Sequence, residues 1–492
     1  MNNNNQNSKI IFLFLLLIVG FIDISAKEFQ VPGDEFTIIV KPERNNTVQI
    51  QNALSYKTNK WLRIILEGTF YVDKTLQTKK EKTIIEFSPN SKIIFTNTLS
   101  SGINIIHNNC IIRNGKITGT GKSSNNFYKG YGILLSGVDN CEISNVTLEK
   151  ISGNNILLLQ SRGKGCSNNI IKNNSIVSPV FKLNTSGDEA GILLGYSGNG
   201  YSHNNNTIDN NIIDGNNILK IGIGIIGHGV GNTFKNNRIH NCRNYGIICY
   251  ESQTIGTSLS KSNVNNNIIR NIGEIENIRT PKGMGIYLMK SSNSIVSNNK
   301  VYDTLKNSDR TETLPAGSIS INGSPYTIVK NNLIDGSQMY GIASAYSFNS
   351  QFMGNTIQNT RKSGAYFINM NDVIVKGNIF KNIGEVVIKG YFEDTSRPNL
   401  INQIDVDVYK NIPTGENFVI TENTFYTDHN ILYFTGTNAN LKQNYKGNKV
   451  KNNKFEDNRI FGNNKKILTE KVAFRIDEKG TNTIKNNKFS IE

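Results

Sequence analysis

The 492-residue chain is short of several residue types, and each shortage excludes a class of protein. It contains one Trp, nine Pro, five His and five Cys, and 19% of its residues are charged. A small disulfide-stapled domain has more cysteine for its length, and a typical disordered chain carries more charge, so both classes are excluded. The spacing of the His and Cys residues does not resemble a zinc site. An odd number of cysteines also excludes a fully paired disulfide framework.

Long apolar runs are absent after the first 26 residues. Lys9 precedes an apolar run from Ile10 to Ile22, and a short polar stretch then leads to Ala26. This order is typical of a secretory signal peptide, and the run is too short to span a bilayer. We therefore predict residues 1–26 as a signal peptide that is removed after about Ala26. The expected mature protein is secreted or otherwise extracytoplasmic and has no transmembrane anchor.

Asparagine and positive charge are present in excess. The chain has 77 Asn residues and a formal net charge of +16. Asparagine is a poor helix former that favours turns and left-handed backbone, so a repeat dominated by turns is the leading interpretation. A positive field favours anionic partners. Because an exported protein rarely meets nucleic acid, we expect an acidic polysaccharide or a cell-envelope glycan as the partner, and no nucleic acid.

A six-residue unit recurs along the chain in the pattern apolar, any residue, Asn or Gly, Asn, any residue, apolar, as in residues 208–213. After each central copy, a Gly opens a stretch with period-two alternation, which indicates a strand. In each Asn pair, one residue is expected to adopt the left-handed conformation, and the other to bond amide to amide with its counterpart one coil away. The unit begins at Ile112, Ile143, Ile171, Ile208, Phe234, Val264, Val296, Val329, Phe352, Val375, Ile420, Val450 and Ile484. Its fourth residue is Asn in all copies but the first two, and its third residue is Glu in the copy from Ile420.

This pattern resembles the right-handed parallel β-helix proteins of the pectin lyase-like superfamily. The resemblance implies an all-β, single-stranded solenoid. Val48–Leu54 is predicted as a short N-terminal capping helix and Ile64–Tyr71 as the first strand. We expect the cap and first strand in residues 27–70, the β-helix with groove-forming loops in 71–397, and irregular final coils with a C-terminal cap in 398–492.

The cysteines fit the same coil. Cys110 and Cys141 each lie two residues before the first apolar position of a unit, which places them on adjacent coils. They could form a disulfide, but we expect two buried neighbouring thiols, with Cys249 in the core.

Unequal turn lengths predict a groove. The turn from Asn237 to Gly246 is short, whereas the turns Asn174–Gly191, Asn267–Gly285 and Asn299–Gly317 are longer and leave from the same corner. The opposite corner is also longer in some coils. Two walls of loops beside one strand face form a groove, which suits an extended polymer.

Functional side chains align on the floor of this groove. Residues just beyond the Gly-Ile strands form a line in which His228, Glu251 and Lys290 supply a base, an acid and a cation. The aligned positions are Tyr196, His228, Tyr250, Glu251, Lys290 and Tyr346, and the flanking loops add His203, Asp188 and Glu189.

Two chemistries fit these residues. In β-elimination from a uronate polymer, Lys290 or His228 is the base and Tyr196 or Tyr250 the acid. The substrate clamp is then Arg162, Lys164 or Arg279. In hydrolysis, Glu251 pairs with Asp188 or Glu189 across the glycosidic bond.

Local resemblances extend to both kinds of enzyme. Ser186–Ile192 together with Gly227-His228-Gly229 is similar to motifs of polygalacturonases. Lys290-Ser291-Ser292-Asn293 resembles the lysine segment of the alginate and chondroitin lyases built on this fold. We expect a lyase first, a hydrolase second, and a non-catalytic surface rod or carbohydrate-binding adhesin as the third alternative. Calcium is common in such lyases, and Asp188 with Glu189 is the only seed for its site.

Overall fold

The chain divides into two units, Met1–Gly33 and Asp34–Glu492, and the structure discussed below belongs to the second. In this computed structural model the described residues are 33–97, 102–121, 130–178, 189–195, 201–250, 260–273, 283–305, 316–392, 415–435, 452–462, 474–476 and 482–491. The predicted signal peptide lies outside them.

The repeated unit builds two strands and the corner between them. Its first apolar residue lies in one sheet and its last in a second sheet, as Ile208 and Ile213 do, and the Gly-Ile stretch forms a third sheet. Every strand pair within the three sheets is parallel. The fold is therefore a single-stranded right-handed parallel β-helix, as the repeat predicts.

Sheet 1 has 16 strands, numbered here in chain order with those of the other sheets. They are β1 (Glu35–Val40), β2 (Trp61–Leu66), β5 (Thr83–Phe87), β8 (Ile111–Arg113), β11 (Glu142–Ser144), β14 (Ile170–Lys172), β17 (Thr207–Asp209), β20 (Thr233–Lys235), β23 (Asn263–Asn265), β26 (Ile295–Ser297), β29 (Ile328–Lys330), β32 (Gln351–Met353), β35 (Ile374–Lys376), β38 (Val419–Thr421), β41 (Lys454–Glu456) and β44 (Thr483–Lys485).

Sheet 2 has 15 strands and follows sheet 1 across the asparagine corner. They are β3 (Thr69–Val72), β6 (Lys92–Phe95), β9 (Lys116–Thr118), β12 (Thr147–Glu149), β15 (Ser175–Val177), β18 (Ile212–Asp214), β21 (Arg238–His240), β24 (Ile268–Ile272), β27 (Lys300–Thr304), β30 (Leu333–Ser337), β33 (Thr356–Thr360), β36 (Ile379–Ile383), β39 (Thr424–Tyr426), β42 (Arg459–Gly462) and β45 (Lys488–Ile491).

Sheet 3 has 14 strands and contains the Gly-Ile stretches. They are β4 (Leu76–Gln77), β7 (Ile103–Ile105), β10 (Tyr131–Ser136), β13 (Asn154–Leu159), β16 (Ala190–Gly195), β19 (Ile221–Ile226), β22 (Tyr245–Tyr250), β25 (Met284–Met289), β28 (Gly317–Asn322), β31 (Tyr340–Ala345), β34 (Ala365–Ile368), β37 (Ile388–Tyr391), β40 (Leu432–Thr435) and β43 (Phe474–Ile476).

The interior of the coil is a set of apolar stacks, one per sheet. Ile208, Ile213 and Ile223 point inward from one coil, and all three are fully buried. The recurring position of Gly in the sheet 3 strands, such as Gly246 in β22, leaves no room on its inner side. A Cβ atom on Gly246 would lie 2.5 Å from Cγ2 of Ile269, so a side chain does not fit there.

The two asparagines of each unit have the roles that the sequence predicts. Asn210 adopts a left-handed φ of 52°, whereas Asn211 is fully buried. The Asn211 amide Nδ2 donates to Oδ1 of Asn237 at 3.0 Å, and that of Asn237 donates to Oδ1 of Asn267 at 3.0 Å. The ladder consists of Asn174, Asn211, Asn237, Asn267, Asn299, Asn332, Asn355, Asn378, Asn423, Asn458 and Asn487.

The unit predicted from Val450 is out of phase with the structure. Asn453 lies at the corner before sheet 1, where its Oδ1 accepts from the N–H of Phe418. Phe455 is the inward residue of β41, and Asn458 joins the ladder. The six-residue pattern can be placed on this region in two ways, starting at Val450 or at Phe455. Pairing of β41 with β38 of the preceding coil selects the start at Phe455.

The N-terminal end matches the predicted cap, but not the predicted strand. Helix α1 spans Asn46–Leu54, and Asn45 caps it by accepting from the N–H of Val48 at 3.2 Å. The predicted first strand, Ile64–Tyr71, is two strands in different sheets, because Gly68 turns a corner at a φ of +120°. Strand β1 precedes α1 and pairs with β2, a strand that the sequence analysis missed.

The three sheets continue in register to the C-terminal region. Strands β38 to β45 pair with the preceding coils, although long connections between them lie outside the described residues. All five cysteines are buried free thiols, and the N–H of Cys110 lies 3.5 Å from Sγ of Cys141 on the next coil. The expectation of neighbouring thiols is confirmed.

Candidate functional site

The outer face of sheet 3, here called the aromatic face, carries a second apolar cluster that is separate from the interior of the coil. Sheet alternation sends every second side chain outward, and in β10 to β34 many of these are large and apolar. The cluster contains Leu134, Leu157, Leu193, Ile248, Met284, Tyr287 and Tyr340, with Tyr131, Tyr245, Tyr250 and Tyr366 packed against it. The longer connections that are predicted to wall the groove lie largely outside the described residues.

Three of the predicted site residues lie at the corner between sheet 3 and sheet 1, on three successive coils. The register pairs Ile226 with Tyr250 and Tyr250 with Met289 on three successive coils. His228 follows Ile226 by two residues, and Lys290 follows Met289 directly. Neighbouring strands lie about 4.8 Å apart, so His228, Tyr250 and Lys290 span two such steps. All three side chains are half-buried, and Glu251 lies outside the described residues.

The local geometry explains why a lysine followed by two serines occurs here. Lys290 adopts a left-handed φ of 55°, and its N–H donates to the carbonyl of Asn322 at 2.9 Å. Ser291 is fully buried, with its Oγ 2.6 Å from the Oγ of Ser260 on the preceding coil. The serines of the lyase-like segment are therefore structural residues of the corner. Lys290 is the residue of this segment whose side chain we consider for chemistry.

The Gly-His-Gly segment also has a structural basis. Gly227 has a φ of +124°, and a Cβ atom on Gly229 would lie 2.7 Å from the carbonyl oxygen of His203. The His228 carbonyl accepts from the N–H of His203 at 2.9 Å. The two glycines thus allow the backbone conformation and close approach that the corner requires.

His203 has a structural position rather than the loop position that was predicted for substrate binding. It is fully buried, its Nδ1 accepts from the N–H of Cys166 at 3.1 Å, and its Nε2 lies 3.2 Å from the carbonyl of Gly195. Burial lowers the pKa of His203 to about 4, so the ring is neutral. With Nδ1 accepting, the proton is on Nε2. Both ring nitrogens are occupied within the protein, so we do not carry His203 into the proposed site.

Glu189 lies at the opposite end of sheet 3, where the chain enters β16. Its carboxylate is buried, and Oε2 lies 3.5 Å from Nζ of Lys220. Burial raises the pKa of Glu189, while Lys220 and Arg243 oppose that shift. Its Oε1 accepts no hydrogen bond within the part of the chain that the structure describes. Asp188 lies outside that part.

These surroundings do not fit the predicted calcium seed. Two cationic side chains, Lys220 and Arg243, lie close enough to Glu189 to affect its titration, and a divalent cation would be repelled there. Within the described ranges, no three His, Cys, Asp or Glu side chains come together as metal ligands.

The other predicted binding residues are dispersed. Arg162 and Lys164 lie at the same corner as His228, two coils earlier, and Lys164 pairs with Asp139 at 2.5 Å. Tyr346 lies two coils after Lys290 but is 7% exposed, and its hydroxyl accepts from Nδ2 of Asn369 at 3.2 Å. Tyr196 and Arg279 are outside the described residues.

Sequence reasoning named Tyr250 but missed the other aromatic side chains of the face. The rings of Tyr245 and Tyr287 stack with centroids 5.6 Å apart, and those of Tyr340 and Tyr366 lie 4.6 Å apart. Burial raises the pKa of Tyr287 to about 12. The signal was available, because these tyrosines lie one residue before a Gly-Ile pair or two residues after its Gly. The predicted site included only residues at or just beyond the ends of these strands.

The three parallel sheets place this protein in the class of right-handed parallel β-helix proteins. The family model for the right-handed beta helix region matches residues 101–303 and 223–402, and the chain belongs to this family. No curated protein matches the chain in sequence.

Solved structures share the fold at low sequence identity. The catalytic unit of the thermostable GH87 alpha-1,3-glucanase from Streptomyces thermodiastaticus has a TM-score of 0.58 and 12% identity, with 75% of this chain and 68% of that chain covered. Tailspike protein 3 of bacteriophage CBA120 has a TM-score of 0.51 and 11% identity, with coverage of 80% and 57%. At such identities the similarity shows the fold alone.

The described residues contain no helix that is long and apolar enough to cross a membrane.

Proposed function

We propose that this protein is an exported polysaccharide lyase that cleaves a uronate-containing glycan bound along the aromatic face. The carrying observation is that His228, Tyr250 and Lys290 lie at or just beyond the ends of β19, β22 and β25, three paired strands on successive coils at one edge of this face. The net charge of +16 favours an acidic polymer over a neutral one. Aromatic side chains along a face can pack against the apolar faces of sugar rings.

Each residue has a role that matches its chemistry. The Lys290 ammonium offsets the charge of the substrate carboxylate, which makes the adjacent C5 proton easier to remove. His228 accepts that proton as the general base, and Tyr250 donates its phenolic proton to the leaving oxygen on C4. The C5–H and C4–O bonds break, a C4–C5 double bond forms, and no water is consumed.

Product analysis tests this assignment. The mature protein is incubated with polygalacturonate, alginate and sulfated uronate glycans, while ultraviolet absorbance and reducing ends are followed separately. We expect both signals to rise together. Neither signal on any of these glycans would contradict the proposal and favour a non-catalytic carbohydrate-binding rod.

Reducing ends without absorbance would indicate a hydrolase. One observation favours that second candidate: Glu189 is a buried carboxyl with a raised pKa and an unengaged Oε1, which suits a general acid. Its proposed partners, Asp188 and Glu251, lie outside the described residues.

Single substitutions test the aligned residues. His228→Gln and Tyr250→Phe are each expected to reduce kcat by about 100- to 10,000-fold. Lys290→Asn keeps a residue that tolerates left-handed backbone and should also raise KM. The matched control is Lys150→Asn, because Lys150 has a φ of 54° at a different corner. Lyase activity unchanged in all three variants, or lost equally in the control, would refute the assignment.

A further inference from the structure

The outer face of sheet 2 carries a row of cations that the proposed catalytic site does not use. Arg238, Arg270 and Lys300 lie on three successive coils and are exposed. Arg238 pairs in register with Ile268, which pairs with Lys300, and Arg270 lies one outward position further along its strand. Each coil therefore presents one cation. Successive coils are about 4.8 Å apart and Arg270 is offset by two residues along its strand, so neighbouring cations are about 8 Å apart.

These three cations form no ion pair with any residue that the structure describes. Other cations of the coil do: Lys235 lies 3.6 Å from Asp209, and Lys376 lies 3.1 Å from Glu422. The difference matters because a cation without a carboxylate partner is available to an external anion.

Two of the carboxylates near the row on sheet 2 have partners of their own. Asp214 accepts from Asn241 at 3.0 Å and lies 3.5 Å from His240. Asp335 accepts from Gln358 at 2.9 Å. Among the residues that the structure describes, Asp303, next to Tyr302 in β27, is a further carboxylate of this sheet.

Apolar and aromatic groups lie between the charges. Ile212, one coil before Arg238, is 46% exposed, and Ile268 separates Arg238 from Lys300. The guanidinium of Arg270 lies 5.0 Å from the ring centroid of Tyr302, which restrains its orientation. We define the cationic face as Ile212, Arg238, Ile268, Arg270, Lys300 and Tyr302.

We propose that the cationic face is a second binding site, for an acidic polysaccharide chain that lies along the axis of the coil. One cation per coil complements a linear polymer with a regular series of anionic groups, and the apolar side chains offer contacts to the C–H faces of its sugar rings. A membrane surface would require a broad cationic area rather than a row. Nucleic acid would favour several aromatic platforms for its bases, and this face has one.

This site differs from the catalytic groove, which lies on sheet 3. It would hold the protein on a polymer while the groove acts on the same or another chain. The inference does not depend on the reaction proposed for the groove, because binding at the cationic face needs none of the three catalytic residues.

Affinity electrophoresis tests the proposal. The full protein is run through gels that contain polygalacturonate, alginate or dextran sulfate, with neutral dextran as the reference, and dissociation constants are obtained from the retardation. The test variant is the triple substitution Arg238→Gln, Arg270→Gln and Lys300→Gln. Its matched control is Lys235→Gln, Lys376→Gln and Lys485→Gln, which removes the same charge from ion-paired positions on sheet 1.

We expect at least one acidic polymer, but not neutral dextran, to retard the wild-type protein. An exposed charge contact contributes about a twofold to fivefold change in affinity, so the test triple should bind about tenfold or more weakly. The control triple should bind like the wild type. The test triple should keep its turnover of short oligosaccharides, which separates this site from the groove.

Three results would overturn the proposal: no retardation by any of the acidic polymers, equal weakening in the test and control triples, or turnover of short oligosaccharides lost in the test triple. Gels with double-stranded DNA, and flotation with vesicles that contain anionic lipid, are run in parallel. Tighter binding to either one through the same three residues would replace the polysaccharide with that ligand. Circular dichroism verifies that each variant is folded.

Discussion

The asparagine ladder allows a sharp test, because adjacent asparagines have different roles. Asn237 is fully buried, and its Oδ1 accepts from both the N–H and the Nδ2 of Asn211 at 3.0 Å. Asn236 is exposed, with a left-handed φ of 57°. The same substitution, to glycine, therefore removes a ladder amide at one position and only a surface amide at the next.

The expected magnitudes differ by several kcal/mol. Asn237→Gly leaves two donors of Asn211 without this acceptor, at about 1–3 kcal/mol each. Glycine in an ordinary backbone conformation adds about 0.5–1 kcal/mol, so the expected loss is about 2.5–7 kcal/mol. Asn236→Gly should cost a few tenths of a kcal/mol, because glycine adopts left-handed backbone without strain.

Urea unfolding followed by far-ultraviolet circular dichroism measures the two free energies of unfolding. Because a coil array can unfold in parts, amide hydrogen exchange in β20 and β21 gives a local readout. We expect faster exchange there in Asn237→Gly and wild-type rates in Asn236→Gly. Free energies that agree within about 1 kcal/mol would refute the assignment of stability to the buried ladder.

Two further predictions concern buried groups. Since the pKa of His203 is about 4 in the folded protein and about 6.5 in the unfolded chain, stability should be constant above pH 6.5 and fall by about 3 kcal/mol as the pH drops toward 4. His203→Gln should remove that part of the pH dependence in urea titrations at pH 7.5, 6 and 5, and an unchanged slope would show that His203 does not cause it. The five thiols should react with a thiol reagent only after unfolding, without prior reduction. Fewer than five reactive thiols in urea would indicate a disulfide.

The fold could be predicted because its corners are encoded locally. The left-handed backbone at the third residue of the unit favours Asn, and the buried amide ladder favours Asn at the fourth. The repeat can therefore be recognised in the amino-acid sequence. The same reasoning failed at Gly68, where a single glycine turns a corner without an Asn pair. It also failed at Val450, where two phases of the pattern compete and only pairing with the previous coil decides between them.

The candidate site was harder to predict, because a side chain's availability depends on its neighbours. Spacing from the Gly of each strand predicted His228, Tyr250 and Lys290 in one line, whereas the register aligns Tyr250 with Ile226 and Met289, so His228 and Lys290 lie further along. Spacing gave no sign that His203 is enclosed by Cys166 and Gly195, since burial is set by residues from other coils. The cationic face was also missed, because its cations recur once per coil and no local motif marks them.

The ladder gives the coil a direction that its apolar stacks do not. Each Nδ2 donates toward the next coil, so the side-chain dipoles align along the axis with their positive ends toward the C terminus. At the start, Oδ1 of Asn174 accepts from the N–H of Val146, and at the end Nδ2 of Asn487 donates to the carbonyl of Phe455. A coil added at the C-terminal end must therefore offer an acceptor, whereas one added before Asn174 must offer a donor. The two ends are not interchangeable, and a duplicated coil can extend the protein only in the orientation of the coils already present.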